Sequence, residues 1–175
     1  MALTTKHKVA GGAVGLSAGA MALAAVFIPR WEGMDLTVRH FNFDPPGVLT
    51  VCNGITNLDP AYAHIKLGQK FTPEQCAEAF KKVLPKYVDP VAGCIPTYYS
   101  MPPHRQVAIL SFAYNLGPGR VCDGSIAREF NRGNVKAACN TMGQYVRANG
   151  VVLKGLQNRR FDPKWGEIAW CLRED

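Results

Sequence analysis

Residues 9 to 28, VAGGAVGLSAGAMALAAVFI, carry no charge over twenty positions, and this stretch limits what the rest of the chain can fold into. As a helix it spans about 30 Å, at 1.5 Å per residue, which is the thickness of a hydrocarbon core. Lys6 and Lys8 precede it, as in an export signal whose basic end stays inside the cell. The stretch is nevertheless weak. It holds four glycines, one serine and seven alanines, leaving eight larger apolar residues. Each of those gains about 0.3–0.6 kcal/mol on insertion, so the whole gains only a few kcal/mol. Three readings follow. The stretch is a signal anchor able to leave the bilayer, a signal peptide cleaved near Ala22-Leu23-Ala24, or a permanent anchor with Gly11, Gly15 and Gly19 as a helix-packing face. Glu32, only four residues beyond, favours the first, because one short region then sets the membrane state and carries an acid. Two parts are expected: a leader over residues 1–28 and a folded domain over residues 29–175.

The 175-residue chain carries a net charge of +7. Without Lys6 and Lys8, residues 29–175 hold 18 Lys and Arg against 13 Asp and Glu, or +5. That surplus favours anionic polymers such as cell-wall material. No basic block interleaved with aromatics points to nucleic acid, which is not expected as a partner. The six cysteines, Cys52, Cys76, Cys94, Cys122, Cys139 and Cys171, all lie past the leader, and none shows zinc-ligand spacing. In a chain that leaves the cytoplasm they read as up to three disulfides, with buried free thiols as the alternative. Spacing does not choose the pairing.

Along the domain, Pro29-Arg30-Trp31-Glu32-Gly33 reads as a helix end stopped by glycine. Asp44-Pro45-Pro46-Gly47 is turn chemistry, and residues 48–52 form a β-rich run before Asn53-Gly54. Thr72, Pro73 and Gln75 mark a helix start, with Pro85 as its end. Residues 104–115 are apolar nearly all round and predict a buried central helix. Ser125 and Asn134 each open a short helix. Asp162-Pro163 caps a last one carrying Trp165, Ile168, Ala169 and Leu172. The expected architecture is α+β: a small N-terminal β lobe, a larger helical lobe, and a cleft between them.

Glu32, Asp44 and Thr50 are the candidate catalytic residues. Glu32 closes a helix beside Trp31, a setting suited to a general acid, and Asp44 lies in a solvated turn suited to a permanent carboxylate. Two carboxyl groups with different environments form the glycosidase pattern, in which one protonates the leaving oxygen and the other handles water or the oxocarbenium-like charge. Thr50, on the following strand, would orient the water. His40, His64 and His104 read as solvated. Tyr98, Tyr99 and Tyr114 read as core side chains that could instead line a sugar cleft. Arg159 and Arg160 read as supports of the C-terminal fold.

The run Trp31-Glu32-Gly33, then Asp44-x-x-Gly47-Val48-x-Thr50-Val51-Cys52-x-Gly54-x-Thr56, resembles the start of phage-type lysozymes, glycoside hydrolase family 24. Thr72 to Ala77 is similar to that family's interlobe helix, and Arg105 to Gly119 to its buried helix and following loop. Gly155-Leu156-x-x-Arg159-Arg160 is similar to its C-terminal signature. There are two departures. Eleven residues rather than eight separate Glu32 from Asp44, which makes Asp35 a rival second carboxylate, and Ile55 stands where the family often has histidine. The resemblance implies a lysozyme-like fold and a muramidase that cuts the β-1,4 bond between N-acetylmuramic acid and N-acetylglucosamine, without cofactor or metal. With its weak leader the chain resembles the signal-anchor-release (SAR) endolysins. That implies a monomer tethered by residues 9–28 at the periplasmic side of the host inner membrane, then freed into the periplasm when a holin or pinholin dissipates the membrane potential. The alternatives are a lytic transglycosylase and a non-catalytic wall-binding protein with a cleaved signal peptide.

Overall fold

The computed structural model describes residues 15–42 and 44–174. Lys6, Lys8, Gly11 and the first part of the apolar stretch lie outside the described residues. Helix α1, Ala18–Glu32, starts at Ser17, whose hydroxyl accepts the Ala20 N–H at 3.1 Å. It ends at Gly33, whose φ of 72° is the left-handed geometry that glycine adopts without cost and whose N–H donates to the Pro29 carbonyl. The helix therefore runs unbroken across the expected leader–domain boundary. Ala20, Ala24, Phe27 and Ile28, spaced on one helical face, are fully buried. Phe27 lies 4.2 Å from the Trp170 ring. Among the described residues, no helix is long and apolar enough to cross a membrane.

A three-stranded antiparallel sheet follows: β1 (Asp35–Arg39), β2 (Thr50–Cys52) and β3 (Ile55–Thr56), in that spatial order. Asp35 pairs with Cys52 and Arg39 with Thr50, with an irregularity between. The β1–β2 connection carries Asp44 and is closed by a Pro45–Val48 turn, in which Gly47 takes φ 83°. Helix α2 (Pro73–Val83) begins with the expected reciprocal cap between Thr72 and Gln75. Pro85 does end α2, and it also opens α3 (Pro85–Cys94) as its first residue, where its missing N–H costs nothing.

The central helix α4 (Pro103–Leu116) is buried on almost every side, as its composition predicts. It packs against α1, α3, α5 (Gly119–Cys122) and α9 (Glu167–Leu172); α6 (Ser125–Asn131) packs on α5 and α7 (Val135–Thr141), and α7 and α8 (Lys154–Phe161) pack on α9. A two-stranded hairpin, β4 (Arg147–Ala148) and β5 (Val151–Val152), turns through Asn149-Gly150 with both residues at positive φ. The last helix differs from the sequence expectation. Asp162 accepts the Lys164 and Trp165 N–H groups in a turn, and α9 starts only after Gly166, so Trp165 lies outside it. All six cysteines pair: Cys52–Cys76 ties the sheet to α2, Cys94–Cys122 ties α3 to α5, and Cys139–Cys171 ties α7 to α9. The result is an α+β fold, mostly helical, with two small sheets among the described residues.

Candidate active site

Glu32 is the last residue of α1 and looks into a cleft of about 640 Å³, lined also by Asp35, Arg39, Asp44, Thr50 and Gly54. The structure thus brings the three sequence candidates, and the rival Asp35, to one hollow. Their partners separate the two aspartates. Thr50, on β2, donates its hydroxyl to Asp44 Oδ2 at 2.9 Å, which leaves the hydroxyl lone pairs free to accept. Asp35 is bound to Arg39 Nε at 2.8 Å and accepts the Thr37 N–H at 3.0 Å. Its oxygens serve the strand rather than the cavity.

Glu32 is held from behind. Arg159 Nη1, on α8, donates to its Oε1 at 2.5 Å. Oε2 lies toward Gly54, where an added Cβ would come within 3.8 Å of it, and Gly54 takes φ 83°. A side chain at position 54 would be both strained and placed against the acid. Arg159 is itself buried, donating Nε to Glu167 Oε1 at 2.9 Å and Nη2 to the Ser111 carbonyl at 2.8 Å. Burial pushes the Arg159 guanidinium down, but Glu167 and Glu32 together outweigh it and raise its pKa above the ordinary value, so it remains a cation. Arg160 completes the cluster, bound to Glu167 Oε2 and Asn115 Oδ1 and lying 4.7 Å from the Phe112 ring centroid. Ser111 donates its hydroxyl to Glu167 Oε1 at 2.7 Å.

Sequence reasoning missed the direct link between Arg159 and Glu32, residues 127 apart in the chain. The arginine pair reads as a support of the C-terminal fold, and nothing in its spacing names a partner on α1. Tyr87 was also missed. Its ring lies 4.6 Å from that of Tyr114, and both line a second hollow of about 200 Å³ that joins the first at Gly54 and Thr56. Burial raises both phenols, with Glu32 adding to it, so they remain proton donors. Tyr114 therefore serves core and cleft together. Tyr98 is fully buried, donating to the Gln106 carbonyl, and Tyr99 sits edge-on to it. On the other side of Glu32, Trp31, Asn115, Leu153 and Arg159 shape a hollow of about 600 Å³.

The histidines need one correction. His40 and His64 are exposed, but His104 is buried with Nδ1 2.9 Å from the Trp170 carbonyl, because α9 covers a position that looked polar in sequence. Among the described residues no group of His, Cys, Asp and Glu is arranged to hold a metal ion.

Comparison with known proteins bears on the family and the fold. A protein-family model, Phage lysozyme, matches residues 29–162. A SAR-endolysin of Pseudomonas phage phiKMV is 35% identical over 162 residues, covering 90% of this chain and 91% of that protein. Among solved structures, an endolysin from Escherichia coli O157:H7 phage FAHEc1 superimposes with a TM-score of 0.70 at 25% identity, covering 92% of this chain and 95% of that one. The active form of the P1 phage endolysin Lyz gives a TM-score of 0.68 at 23% identity, covering 93% and 96% of the two chains, a likeness of fold.

Proposed function

This chain belongs to the phage lysozyme family and is a lysozyme-type glycoside hydrolase, and from that premise we propose that it is an endolysin cleaving the β-1,4 bond between N-acetylmuramic acid and N-acetylglucosamine of peptidoglycan. The observation that carries this reading is the placement of Glu32 on one cleft with the hydrogen-bonded pair Asp44–Thr50. In this mechanism Glu32 protonates the glycosidic oxygen from Oε2, while Arg159 holds Oε1 and so fixes the direction of transfer. Asp44 takes a proton from a water whose other hydrogen is accepted by the Thr50 hydroxyl. As the leaving oxygen gains its proton, the C–O bond breaks and the water oxygen bonds the anomeric carbon. Asp35 takes no part, because Arg39 occupies it.

The membrane step follows from a conflict of location. Ala20, Ala24, Phe27 and Ile28 belong to the apolar stretch and also to the enzyme core, and one side chain cannot be in lipid and in the core together. Burying Phe27 or Ile28 is worth about 1.5–3 kcal/mol each. Insertion of the whole leader gains a similar few kcal/mol. In the tethered state at the host inner membrane, α1 is therefore absent from the core and Glu32 lies about 6 Å of helix beyond the bilayer edge, beside the headgroups. Release, prompted by a holin or pinholin, lets α1 dock, and the monomer becomes active in the periplasm.

The test is turbidity loss of chloroform-permeabilised Gram-negative cells with the full chain and with Glu32→Gln. The substitution is expected to lower the rate by about 10²–10⁴-fold. Equal rates would end the assignment of Glu32. Products carrying a 1,6-anhydro ring, seen by mass spectrometry, would replace hydrolysis by a lytic transglycosylase.

A further inference from the structure

Asn53 is a polar side chain only 1% exposed, on the turn between β2 and β3, with apolar Val51 and Ile55 buried on either side in sequence. Its amide nitrogen donates to the backbone carbonyl of Gly33, the residue after Glu32. Its own backbone carbonyl accepts the Tyr114 hydroxyl of α4 at 2.8 Å. One residue therefore joins the end of the acid-bearing helix, the sheet and the central helix. The turn is constrained on both sides of it. Cys52 takes φ 56°, an uncommon geometry for a residue with a side chain, and is bound to Cys76 on α2. Gly54 takes φ 83° and passes close to Glu32 Oε2.

A buried amide is a poor choice for filling space, since an apolar side chain of the same size needs no partner. What the amide adds is direction. Gly33 lies past the helix end, where its carbonyl has no partner within α1. Fastening it to the β2–β3 turn sets the distance between Glu32 and Thr50, which lies on β2 three residues before Asn53 and holds Asp44.

We propose that Asn53 is a positioning residue: its side-chain bond to the Gly33 carbonyl holds the Asp44–Thr50 pair in register with the Glu32 carboxyl across the cleft. This rests on the assignment of Glu32 as the acid. Displacement of reacting groups by about 1 Å costs roughly 10²-fold in rate.

The test uses the full chain and soluble peptidoglycan fragments, with kcat and KM corrected for the folded fraction. Asn53→Leu is expected to lower kcat about 10–100-fold with KM within about twofold, because substrate contacts stay while alignment is lost. Asn53→Asp supplies a readout that a merely structural role would not move. Its ionised carboxylate repels the Gly33 carbonyl, whereas its protonated form donates as the amide does. Its kcat relative to wild type should therefore recover as pH falls, while that of Asn53→Leu stays flat. A kcat for Asn53→Leu within about twofold of wild type overturns the proposal, and so does a flat ratio for Asn53→Asp. Where the leucine variant does not fold, the pH dependence of kcat for Asn53→Asp decides alone: recovery toward acid pH supports the clamp, and a flat ratio overturns it. Glu32→Gln, run in parallel, separates the two claims. If it is as active as wild type, the acid assignment fails; if it is inactive while Asn53→Leu keeps a kcat within about twofold of wild type, only the positioning role fails.

Discussion

Glu32 and Asp44 share one cleft but are held in contrasting ways. Behind Glu32 stands a buried cluster of Arg159, Arg160, Glu167 and Ser111, gathered from α4, α8 and α9. Asp44 sits on a turn among residues with solvent access, and its side-chain partner among the described residues is the Thr50 hydroxyl. The acid is thus fixed by the rigid lobe, and the second carboxylate by a hydrogen bond in the small one. A donor that must meet one oxygen lone pair gains from rigidity. A carboxylate that handles water gains from being wet. Six substitutions at five positions test whether the contrast has these consequences.

The largest effect is expected at the cluster. Glu167→Gln leaves two buried guanidinium groups facing a neutral amide, and breaking a buried pair costs about 3–5 kcal/mol. In a chain of this size that lowers Tm by roughly 6–20 °C. Activity should fall as well, since Arg159 loses the partner that aims it at Glu32. Thermal denaturation followed by circular dichroism checks the first expectation, and a Tm within about 2 °C of wild type would show the cluster to be dispensable.

Asp44→Asn should spare Tm and lower kcat by about 10²–10⁴-fold. Asp35→Asn loses only a half-exposed ion pair with Arg39 and should stay within about threefold of wild type. Reversal of this order would move the second carboxylate to Asp35 and remove the contrast between the two sites.

How far these sites were legible in sequence depends on the range of the interaction that makes them. The Thr72–Gln75 cap, the stop at Gly33 and the buried α4 are local, decided within a few residues, and all three appear as expected. Asn149-Gly150 is also a local hairpin signal, and it was overlooked rather than illegible. Helix α8 is a different case. KGLQNRRF has almost no apolar stripe, because the side chains it buries are Arg159 and Arg160, and no hydrophobic period reports a helix that buries charge. The partners of those arginines on α1 and α4 are long-range, as are the disulfide pairs, and only the fold supplies them. The contact between Asp44 and Thr50 spans only six positions, a turn and the strand after it, so both residues stand out locally as candidates.

The hydroxyl of Thr50 is the next step down. Thr50→Val keeps the strand's β-branched shape and removes the donor to Asp44. A hydrogen bond to a charged group is worth about 1.5–3 kcal/mol. The expected loss is therefore about 10–100-fold in kcat. Thr50→Ser retains the hydroxyl and should recover most of it. Equal losses in both variants would assign the effect to packing on β2 instead of to the hydroxyl.

The smallest effect lies at the far end of the cleft, where Asp59 of the small lobe binds Lys86 of α3. Burial pushes the Asp59 carboxyl up, but Lys86 and the Ala61 N–H outweigh it and hold it below the ordinary carboxylate range. Because the folded value is the lower one, the pair adds stability above the unfolded carboxyl's value of about 3.9. That stability is lost as pH falls through the depressed folded value. Lys86 is half exposed, so the pair is worth under about 1 kcal/mol. The Tm deficit of Lys86→Met at pH 6 should then be under about 4 °C and should vanish in the acid range below the folded value. A deficit that stays constant with pH would mean that Lys86 joins the lobes through its aliphatic stem. The small lobe would then be held at this end by packing, as Glu32 is held by charge at the other.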